Sequence, residues 1–292
     1  MRRLDSGGRS TDTVAMANSL STTLLTALAI SGSLFGAEVK KAGAESPANY
    51  NIPLWEESKV PLSKGNGPTD RPFLTVFLPP EGKGNGGSVV VAPGGGDIML
   101  MYGGEGMDIA ERYNDWGVAA FVLTYRMSPR YGADARILDG NRAVQLVRSR
   151  ASQFKLDPTK VGFIGFSAGS SLGRSVVAAA KPGDANSADP VERFSSRPDY
   201  LGLVYSAGRA TPGESLKSFP PTFLVSAAAD GPAIPNAQLF SELTRAGAVA
   251  EIHVYQKGRH GFGSGYGSPE FGEWMSALKH FLVMGGFIPG AK

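Results

Sequence analysis

A serine flanked by glycines at fixed spacing is the feature of this sequence best suited to chemistry. It lies in VGFIGFSAGSSLG, residues 161–173, with Gly165 two positions before Ser167 and Gly169 two positions after it. In a G-x-S-x-G motif a strand turns sharply into a helix and leaves the serine hydroxyl exposed at the turn. Ser167 is therefore a candidate nucleophile for acyl transfer. A chance match is the alternative, because 39 of the 292 residues are glycine.

A serine hydroxyl is a weak nucleophile at neutral pH and requires a general base. The sequence has three histidines, so the base can be sought by elimination. His253 alternates with apolar residues in a predicted strand, and His280 lies inside the last predicted helix, where a packed or surface histidine is the simpler interpretation. His260 lies in the glycine-rich segment KGRHGFGSG after the last predicted strand. We therefore predict that His260 is the base.

The imidazole in turn requires a carboxylate that fixes its tautomer and stabilises the imidazolium. Among the acidic residues between Ser167 and His260, only Asp230 directly follows a predicted strand and precedes a predicted helix. A turn or helix cap is the alternative role, since DGPAIP is also turn chemistry. The chain order Ser167, Asp230, His260 is the order of α/β-hydrolases.

Acyl transfer also requires hydrogen-bond donors for the developing oxyanion. The predicted helix that begins after Ser167 offers backbone N–H groups and the positive end of its dipole. The run PGGG directly follows an early predicted strand, and its three glycines, Gly94 to Gly96, let backbone N–H groups approach a carbonyl without interference from a Cβ atom. A flexible turn is the alternative interpretation of this run.

The elements that must position these residues alternate along the chain. β-Branched or apolar runs of strand length, most of them continuously apolar, occur at 73–78, 88–93, 118–125, 161–166, 200–206, 222–228 and 250–256. Helices are predicted at 104–114, 137–152, 168–180, 236–246 and 269–284. Such runs are typical of strands buried on both faces of a parallel sheet. The alternation predicts the α/β class and an α/β-hydrolase fold, with a mostly parallel central sheet, helices on both faces and a minimal cap.

The N-terminal 44 residues have the pattern of a secretory signal peptide. An apolar run at 20–30 follows three arginines and precedes small residues at 42–44, so a secreted or periplasmic protein is expected. The run is shorter than the roughly 20 apolar residues that a stable membrane span needs. After it we predict an irregular lead-in over residues 45–70 and one hydrolase domain over residues 71–292.

The composition argues against several other kinds of site. Without cysteine there is no disulfide, thiolate zinc site or cysteine nucleophile. The formal net charge is +3 and most of it lies in the first 44 residues, so no nucleic-acid partner is expected. No Walker A, H-E-x-x-H or EF-hand motif occurs, and we predict neither a cofactor nor a metal. The G-x-G-x-x-G match at 82–87 precedes a predicted strand and therefore indicates a turn.

These motifs together resemble secreted bacterial α/β-hydrolases of the carbohydrate-esterase and acetyl xylan esterase type, which are related to prolyl-oligopeptidase-like and hormone-sensitive-lipase-like esterases. The resemblance covers about residues 61–287 and includes VVVAPGGG, GVAAFVLTYRMSPRY, DPTKVGFIGFSAG, PPTFLVSAAAD and VYQKGRHGFG. It implies ester hydrolysis without a cofactor. The residues that it implies are a triad of Ser167, Asp230 and His260 and an oxyanion hole of Gly95, Gly96 and Ala168.

The resemblance implies a substrate with short acyl groups, such as acetate, on polysaccharide or sugar. Some members are labelled endo-xylanase, but most glycosidases use a facing pair of carboxylates, and nothing in this sequence singles out such a pair. Two other functions stay open. One is a small prolyl-oligopeptidase-like serine peptidase, although such enzymes generally carry a propeller domain that is not expected in 292 residues. The other is a catalytically inactive hydrolase-fold binding protein, against which the complete set of triad residues weighs.

The sequence departs from the family pattern near the expected substrate mouth. Asp97 stands where an aromatic residue usually follows PGGG, and Ser170 and Ser171 stand where a glycine and a bulkier residue are common. We expect these positions to line the mouth. Candidate walls of an apolar acyl pocket, with core packing as the alternative, are Tyr102, Tyr125 and Phe262.

Overall fold

A computed structural model of the protein describes residues 49–206, 215–265, 271 and 274–290. The predicted signal peptide lies outside these residues. Within the described part of the chain, no helix combines the length and apolar character that a membrane span requires.

Eight strands form one mixed sheet. They are β1 (Tyr50–Pro53), β2 (Phe73–Phe77), β3 (Ser88–Ala92), β4 (Ala119–Thr124), β5 (Val161–Phe166), β6 (Leu201–Val204), β7 (Thr222–Ala227) and β8 (Ala250–Tyr255). Their order across the sheet is β1-β2-β4-β3-β5-β6-β7-β8. The pairs β1–β2 and β2–β4 are antiparallel, and all other pairs are parallel. The carboxyl ends of the parallel strands therefore meet at one edge, where the candidate site lies.

The central strands are apolar along their whole length because both of their faces are covered. In β3, Val90 and Ala92 belong to one hydrophobic core, whereas Val89 and Val91 belong to the other. All six residues of β5 are buried. Alternate side chains thus pack on opposite faces of the sheet, which explains why the sequence shows continuous apolar runs.

Helices cover both faces, as the sequence predicts. They are α1 (Asp108–Asp115), α2 (Ala133–Ser149), α3 (Ala151–Phe154), α4 (Ala168–Ala178), α5 (Ala233–Arg245) and α6 (Trp274–Met284). Apolar residues of α2, α4 and α5 fill one core, and those of α1 and α6 fill the other. A π-helical turn, Gly103–Met107, leads directly into α1. The α/β-hydrolase fold that we predict is therefore present.

Two predictions about local structure require correction. The segment 45–70 is not irregular throughout, because it contains β1, which pairs with β2 of the hydrolase domain. Only Ile52 of the four residues of β1 is buried, so this short edge strand has almost no hydrophobic pattern. The helix predicted at 137–152 begins earlier, at Ala133, and is followed by the separate short α3.

The chain that follows β1 is held to the domain by a buried carboxylate. Asp70 accepts a hydrogen bond of 2.7 Å from Arg130 Nε and another from the hydroxyl of Tyr131, both in the loop after β4. The N–H of Gly67 donates to the same carboxylate over 3.0 Å. These donors, with Arg130 contributing most, lower the pKa of Asp70 to about 2.

We predict that Asp70→Asn lowers the urea midpoint of unfolding at pH 7, because the neutral amide loses the charge interaction with Arg130. The folded-state pKa is about 2 against an ordinary value of 3.8, so the carboxylate stabilises the fold above about pH 4 and loses this effect as the pH falls towards 2. The difference in midpoint between variant and wild type should be full at pH 7 and smaller at pH 3. A difference that stays constant over this range would contradict the lowered pKa.

Candidate active site

Ser167 occupies the turn between β5 and α4 in a strained backbone conformation. Its φ is 50° and its ψ is −112°, a region that residues with a side chain seldom adopt and that is common at functional sites. The N–H of Ser167 donates to the carbonyl of Val204 at the end of β6 over 3.0 Å. The strained residue is thereby tied to the neighbouring strand.

The two glycines of the motif are required by close approach of the backbone. A Cβ atom on Gly165 would lie 2.1 Å from the carbonyl oxygen of Gly169. A Cβ atom on Gly169 would lie 2.0 Å from the carbonyl oxygen of Ala92, the last residue of β3. No side chain fits at either position, so the sharp strand-to-helix turn requires glycine at both.

The structure brings together the three residues that we predict to form the triad. His260 Nε2 lies 2.8 Å from Ser167 Oγ, and His260 Nδ1 lies 2.8 Å from Asp230 Oδ2. An ionised carboxylate can only accept, so Nδ1 carries the proton and Nε2 is left to accept from the serine hydroxyl. This tautomer is the one in which an imidazole can act as a base towards Ser167.

Asp230 and His260 differ in their exposure to solvent. The side chain of Asp230 is 7 % exposed, whereas that of His260 is 45 % exposed. Asp230 follows β7, and its backbone carbonyl accepts from Ala233 N–H at the start of α5. The helix α5 has no side-chain cap, so the Asp230 carboxylate is directed to His260 and does not serve as that cap.

The loop after β3 carries three glycines, of which Gly94 lies beside the nucleophile: a Cβ atom there would lie 2.9 Å from Ser167 Cβ. Gly95 has a φ of 130°, and a Cβ atom there would lie 2.3 Å from the carbonyl oxygen of Met99. The N–H of Gly94 is engaged by Glu105 Oε2 at 2.7 Å. In contrast, no backbone carbonyl in the described part of the chain accepts from the N–H groups of Gly95, Gly96 or Ala168. No backbone carbonyl of the described residues therefore competes with an oxyanion for these three N–H groups.

An aromatic cluster supports the histidine. The ring of Tyr205, directly after β6, lies 4.7 Å from the His260 ring and 4.7 Å from the Phe262 ring. Phe262 is stacked on Phe271 at 4.4 Å and contacts Trp274 edge-on at 6.1 Å. The Tyr205 hydroxyl donates to the buried Glu105 over 2.6 Å.

Glu105 and Tyr205 are not among the residues that we predict from sequence. The available signal for Glu105 is an acidic residue placed between glycines, GGEG, shortly after PGGG. For Tyr205 the signal is a polar aromatic residue at the end of the apolar run YLGLVYS. Neither signal shows that the two side chains meet, because 100 positions separate them.

The residues expected at the mouth have different environments. Asp97 forms a 3.1 Å ion pair with Arg136 of α2. The prediction for Ser170 is wrong: it is fully buried. Its hydroxyl bonds to the carbonyl of Gly165 and accepts from the N–H of Val204 over 3.0 Å, which joins α4 to β5 and β6. Ser171 is exposed.

The candidate pocket walls and the other two histidines are mainly structural. Tyr125 is fully buried and its hydroxyl donates to the carbonyl of Pro93 over 2.7 Å. The Tyr102 hydroxyl bonds to that of Thr75, and Phe262 packs in the aromatic cluster. His253 lies in β8 and His280 in α6, as predicted. Among the residues that the structure describes, no cluster of three or more His, Asp or Glu could hold a metal.

Comparisons with known proteins agree with this architecture. Residues 74–197 match the BD-FAE family. The chain is 28% identical over 214 residues to the acetylxylan esterase of Xylanibacter ruminicola, a match that covers 66% of this chain and 44% of that protein. It is 26% identical over 233 residues to endo-1,4-beta-xylanase B of Butyrivibrio fibrisolvens, covering 67% of this chain and 36% of that protein. The chain thus spans less than half the length of these curated relatives.

Solved structures are similar over most of the chain. The acetyl ester-xyloside bifunctional hydrolase of Caldicellulosiruptor lactoaceticus superposes with a TM-score of 0.77 at 29% identity, covering 84% of this chain and 100% of that one. Native esterase 2 of Thermogutta terrifontis superposes with a TM-score of 0.67 at 19% identity, covering 84% of this chain and 96% of that one, and shows the same fold. The chain therefore has the α/β-hydrolase fold, and it is similar to esterases of that fold.

Proposed function

We propose that this protein is a serine esterase that removes short acyl groups, acetyl in particular, from esterified polysaccharide or sugar. The observation that carries the proposal is the continuous chain of two 2.8 Å contacts from Ser167 Oγ through His260 to Asp230 Oδ2. These contacts join a hydroxyl at a strained turn, a half-exposed imidazole and a buried carboxylate. This is the arrangement that nucleophilic acyl transfer requires.

In the first half of the proposed reaction, Ser167 Oγ attacks the ester carbonyl while His260 Nε2 takes the hydroxyl proton. The negative charge that develops on the carbonyl oxygen is stabilised by the N–H groups of Ala168 and of the Gly95–Gly96 segment, which lack backbone acceptors among the described residues. His260 then gives the proton to the leaving alcohol oxygen as the ester bond breaks. An acyl-Ser167 ester and the free alcohol are the products of this half.

In the second half, water attacks the acyl-Ser167 carbonyl while His260 Nε2 takes a proton from that water. The oxyanion occupies the same backbone donors, and His260 returns the proton to Ser167 Oγ as the acid is released. Asp230, 7 % exposed, orients the imidazole and stabilises its charged form in both halves. The cycle needs no metal or cofactor.

The choice of an acetylated carbohydrate is supported by the comparisons. One relative is named acetylxylan esterase and one solved neighbour is named for an acetyl ester and a xyloside. The name endo-1,4-beta-xylanase B belongs to a relative of which this chain covers 36%. We assign this chain to the ester bond because a hydroxyl nucleophile with a histidine base performs acyl transfer, whereas glycosidases generally use two carboxylates.

Ser167→Ala should lower kcat for a small acetate ester by at least about 10⁴-fold, because no other group replaces the nucleophile. Turnover of p-nitrophenyl acetate by the purified protein would be the measurement. Ser149→Ala is the matched control, since the hydroxyl of this serine of α2 donates to the carbonyl of Leu146 in the same helix, and this variant should keep wild-type turnover. Equal turnover by Ser167→Ala and wild type would disprove the proposed mechanism.

The wild-type protein should release acetate from acetylated xylan without shortening the xylan chain. Acetate can be followed by an enzymatic assay and chain length by the appearance of new reducing ends. The Ser167→Ala variant should release no acetate above background. New reducing ends from deacetylated xylan, or release of p-nitrophenol from its xyloside, would assign a glycosidase activity instead.

We also propose that the first 44 residues direct export. When the full chain is expressed in a bacterial host, the protein recovered outside the cytoplasm should have lost this segment, and sequencing of its N-terminus would give the cleavage site. Replacement of the apolar run at 20–30 by polar residues should retain the protein in the cytoplasm. Export of this variant at the wild-type level would contradict the proposal.

A further inference from the structure

Glu105 is a buried carboxylate that the proposed mechanism does not use. Glu105 is 4 % exposed. Each oxygen of its carboxylate accepts a hydrogen bond from a different loop. Oε2 accepts from the N–H of Gly94 over 2.7 Å, and Oε1 accepts from the hydroxyl of Tyr205 over 2.6 Å. A buried carboxylate is retained only when such partners compensate for its lost hydration.

The first of these bonds fixes the backbone next to the nucleophile. A Cβ atom on Gly94 would lie 2.9 Å from Ser167 Cβ and 2.5 Å from the carbonyl oxygen of Phe166. The peptide of Gly94 therefore lies directly against the β5–α4 turn. Because Gly94 immediately precedes Gly95 and Gly96, fixing its peptide restricts the positions that their N–H groups can take.

The second bond fixes the loop that carries the base. The Tyr205 ring lies 4.7 Å from the His260 ring. Its hydroxyl also accepts from the N–H of Gly263, three residues after His260, over 3.2 Å. Tyr205 is itself buried, and its own N–H donates to Val225 of β7 over 2.7 Å. Tyr205 is thus a rigid link between Glu105 and the loop that carries His260 and Gly263.

The π-helical turn that carries Glu105 also contacts the loop of His260 directly. In this turn the N–H of Met107 donates to the carbonyl of Tyr102, five residues earlier, over 2.8 Å. A Cβ atom on Gly263 would lie 2.7 Å from the carbonyl oxygen of Gly104 in the turn. Turns of this kind are frequent at functional sites, because they redirect one side chain without ending the helix.

We propose that Glu105 and Tyr205 form a positioning pair that sets the distance between the oxyanion donors and the general base. One oxygen of the Glu105 carboxylate holds the loop after β3 through Gly94. The other oxygen bonds to Tyr205, which holds the loop that carries His260. This inference rests on the proposed esterase function. Neither residue touches the reacting atoms, and their effect on the rate is exerted through Gly94 and His260.

The test uses the full-length protein with two variants of nearly unchanged size. In Glu105→Gln the new amide group can accept from Gly94 but presents a donor to the Tyr205 hydroxyl, which then has no acceptor. Tyr205→Phe keeps the ring against His260 and removes the hydroxyl. Tyr200→Phe is the matched control, because this buried tyrosine hydroxyl donates to the carbonyl of Ser88 at the start of β3, over 3.2 Å, and its other neighbour is Tyr113 of α1, so its partners lie outside the candidate site.

Each variant of the pair should lower kcat for p-nitrophenyl acetate by about tenfold to hundredfold, with KM changed by less than about threefold, because misplacement of catalytic groups by under 1 Å has effects of this size. Affinity for phenylboronic acid, which forms a tetrahedral adduct on the serine, should fall in parallel with kcat. Tyr200→Phe should lose thermal stability but keep both the wild-type kcat and the boronic acid affinity. The double variant Glu105→Gln/Tyr205→Phe should be about as slow as the slower single variant.

Three results would overturn the positioning pair. The first is a wild-type kcat in both folded single variants, Glu105→Gln and Tyr205→Phe. The second is an effect of these substitutions on KM alone. The third is a double variant in which the fold-decreases in kcat of the two single variants multiply. A variant that fails to fold leaves the other single variant as the test, since the bond between Glu105 and Tyr205 can be altered from either side. Failure of the esterase function itself would be recognised separately, as wild-type turnover that is absent or unaffected by Ser167→Ala.

Discussion

The candidate site depends on how closely three stretches of backbone approach one another. The first turn of α4 lies against the end of β3, with the carbonyl oxygen of Ala92 only 2.0 Å from where a Cβ of Gly169 would be. The same turn folds back on Gly165 of β5. This approach brings the glycine loop after β3 beside Ser167 and forces the serine backbone to a positive φ. Main-chain contact therefore determines where both the hydroxyl and the nearby amides lie.

Buried polar side chains keep these backbone stretches in register. Ser170 joins α4 to the ends of β5 and β6, and Tyr125 joins the end of β4 to the carbonyl of Pro93. Glu105 joins the loop after β3 to Tyr205 after β6. Each of these groups would be costly to bury without its partner. Because the partners are backbone atoms or side chains of other loops, the polar groups specify the distances between loops, which apolar packing alone leaves less well defined.

Much of the fold could be predicted because burial on both faces leaves continuous apolar runs in central strands such as β3 and β5. All seven predicted runs correspond to strands, including β8, in which no residue is buried. The short strand β1 could not be predicted from apolar runs, because only Ile52 of its residues is buried. The three residues Ser167, Asp230 and His260 could be selected because each follows a predicted strand in the order known for this fold. Their catalytic roles stay predictions that the geometry supports.

The contacts between distant loops could not be predicted from sequence. Glu105 and Tyr205 meet only because the strand order places the ends of β3 and β6 on either side of β5. The π-helical turn could not be predicted either, because nothing in GGEGM distinguishes a π-helical turn from a loop or the first turn of the helix predicted at 104–114. For Ser170 the error has a related cause: a small polar residue after the nucleophile suggests a surface, but the first turn of α4 is covered by β6.

The short edge strand β1 affects how readily the sheet can pair with the sheet of another copy of the protein. An unpaired edge strand exposes N–H and C=O groups that can pair with an edge of another chain and begin aggregation. Here the edge is only four residues long and ends at Pro53, which has no N–H to donate. Only Ile52 of the four is buried, and Asn51 bonds to Thr75 across the pair. The sheet therefore ends on this side in a short, interrupted ladder that offers little for another chain to extend.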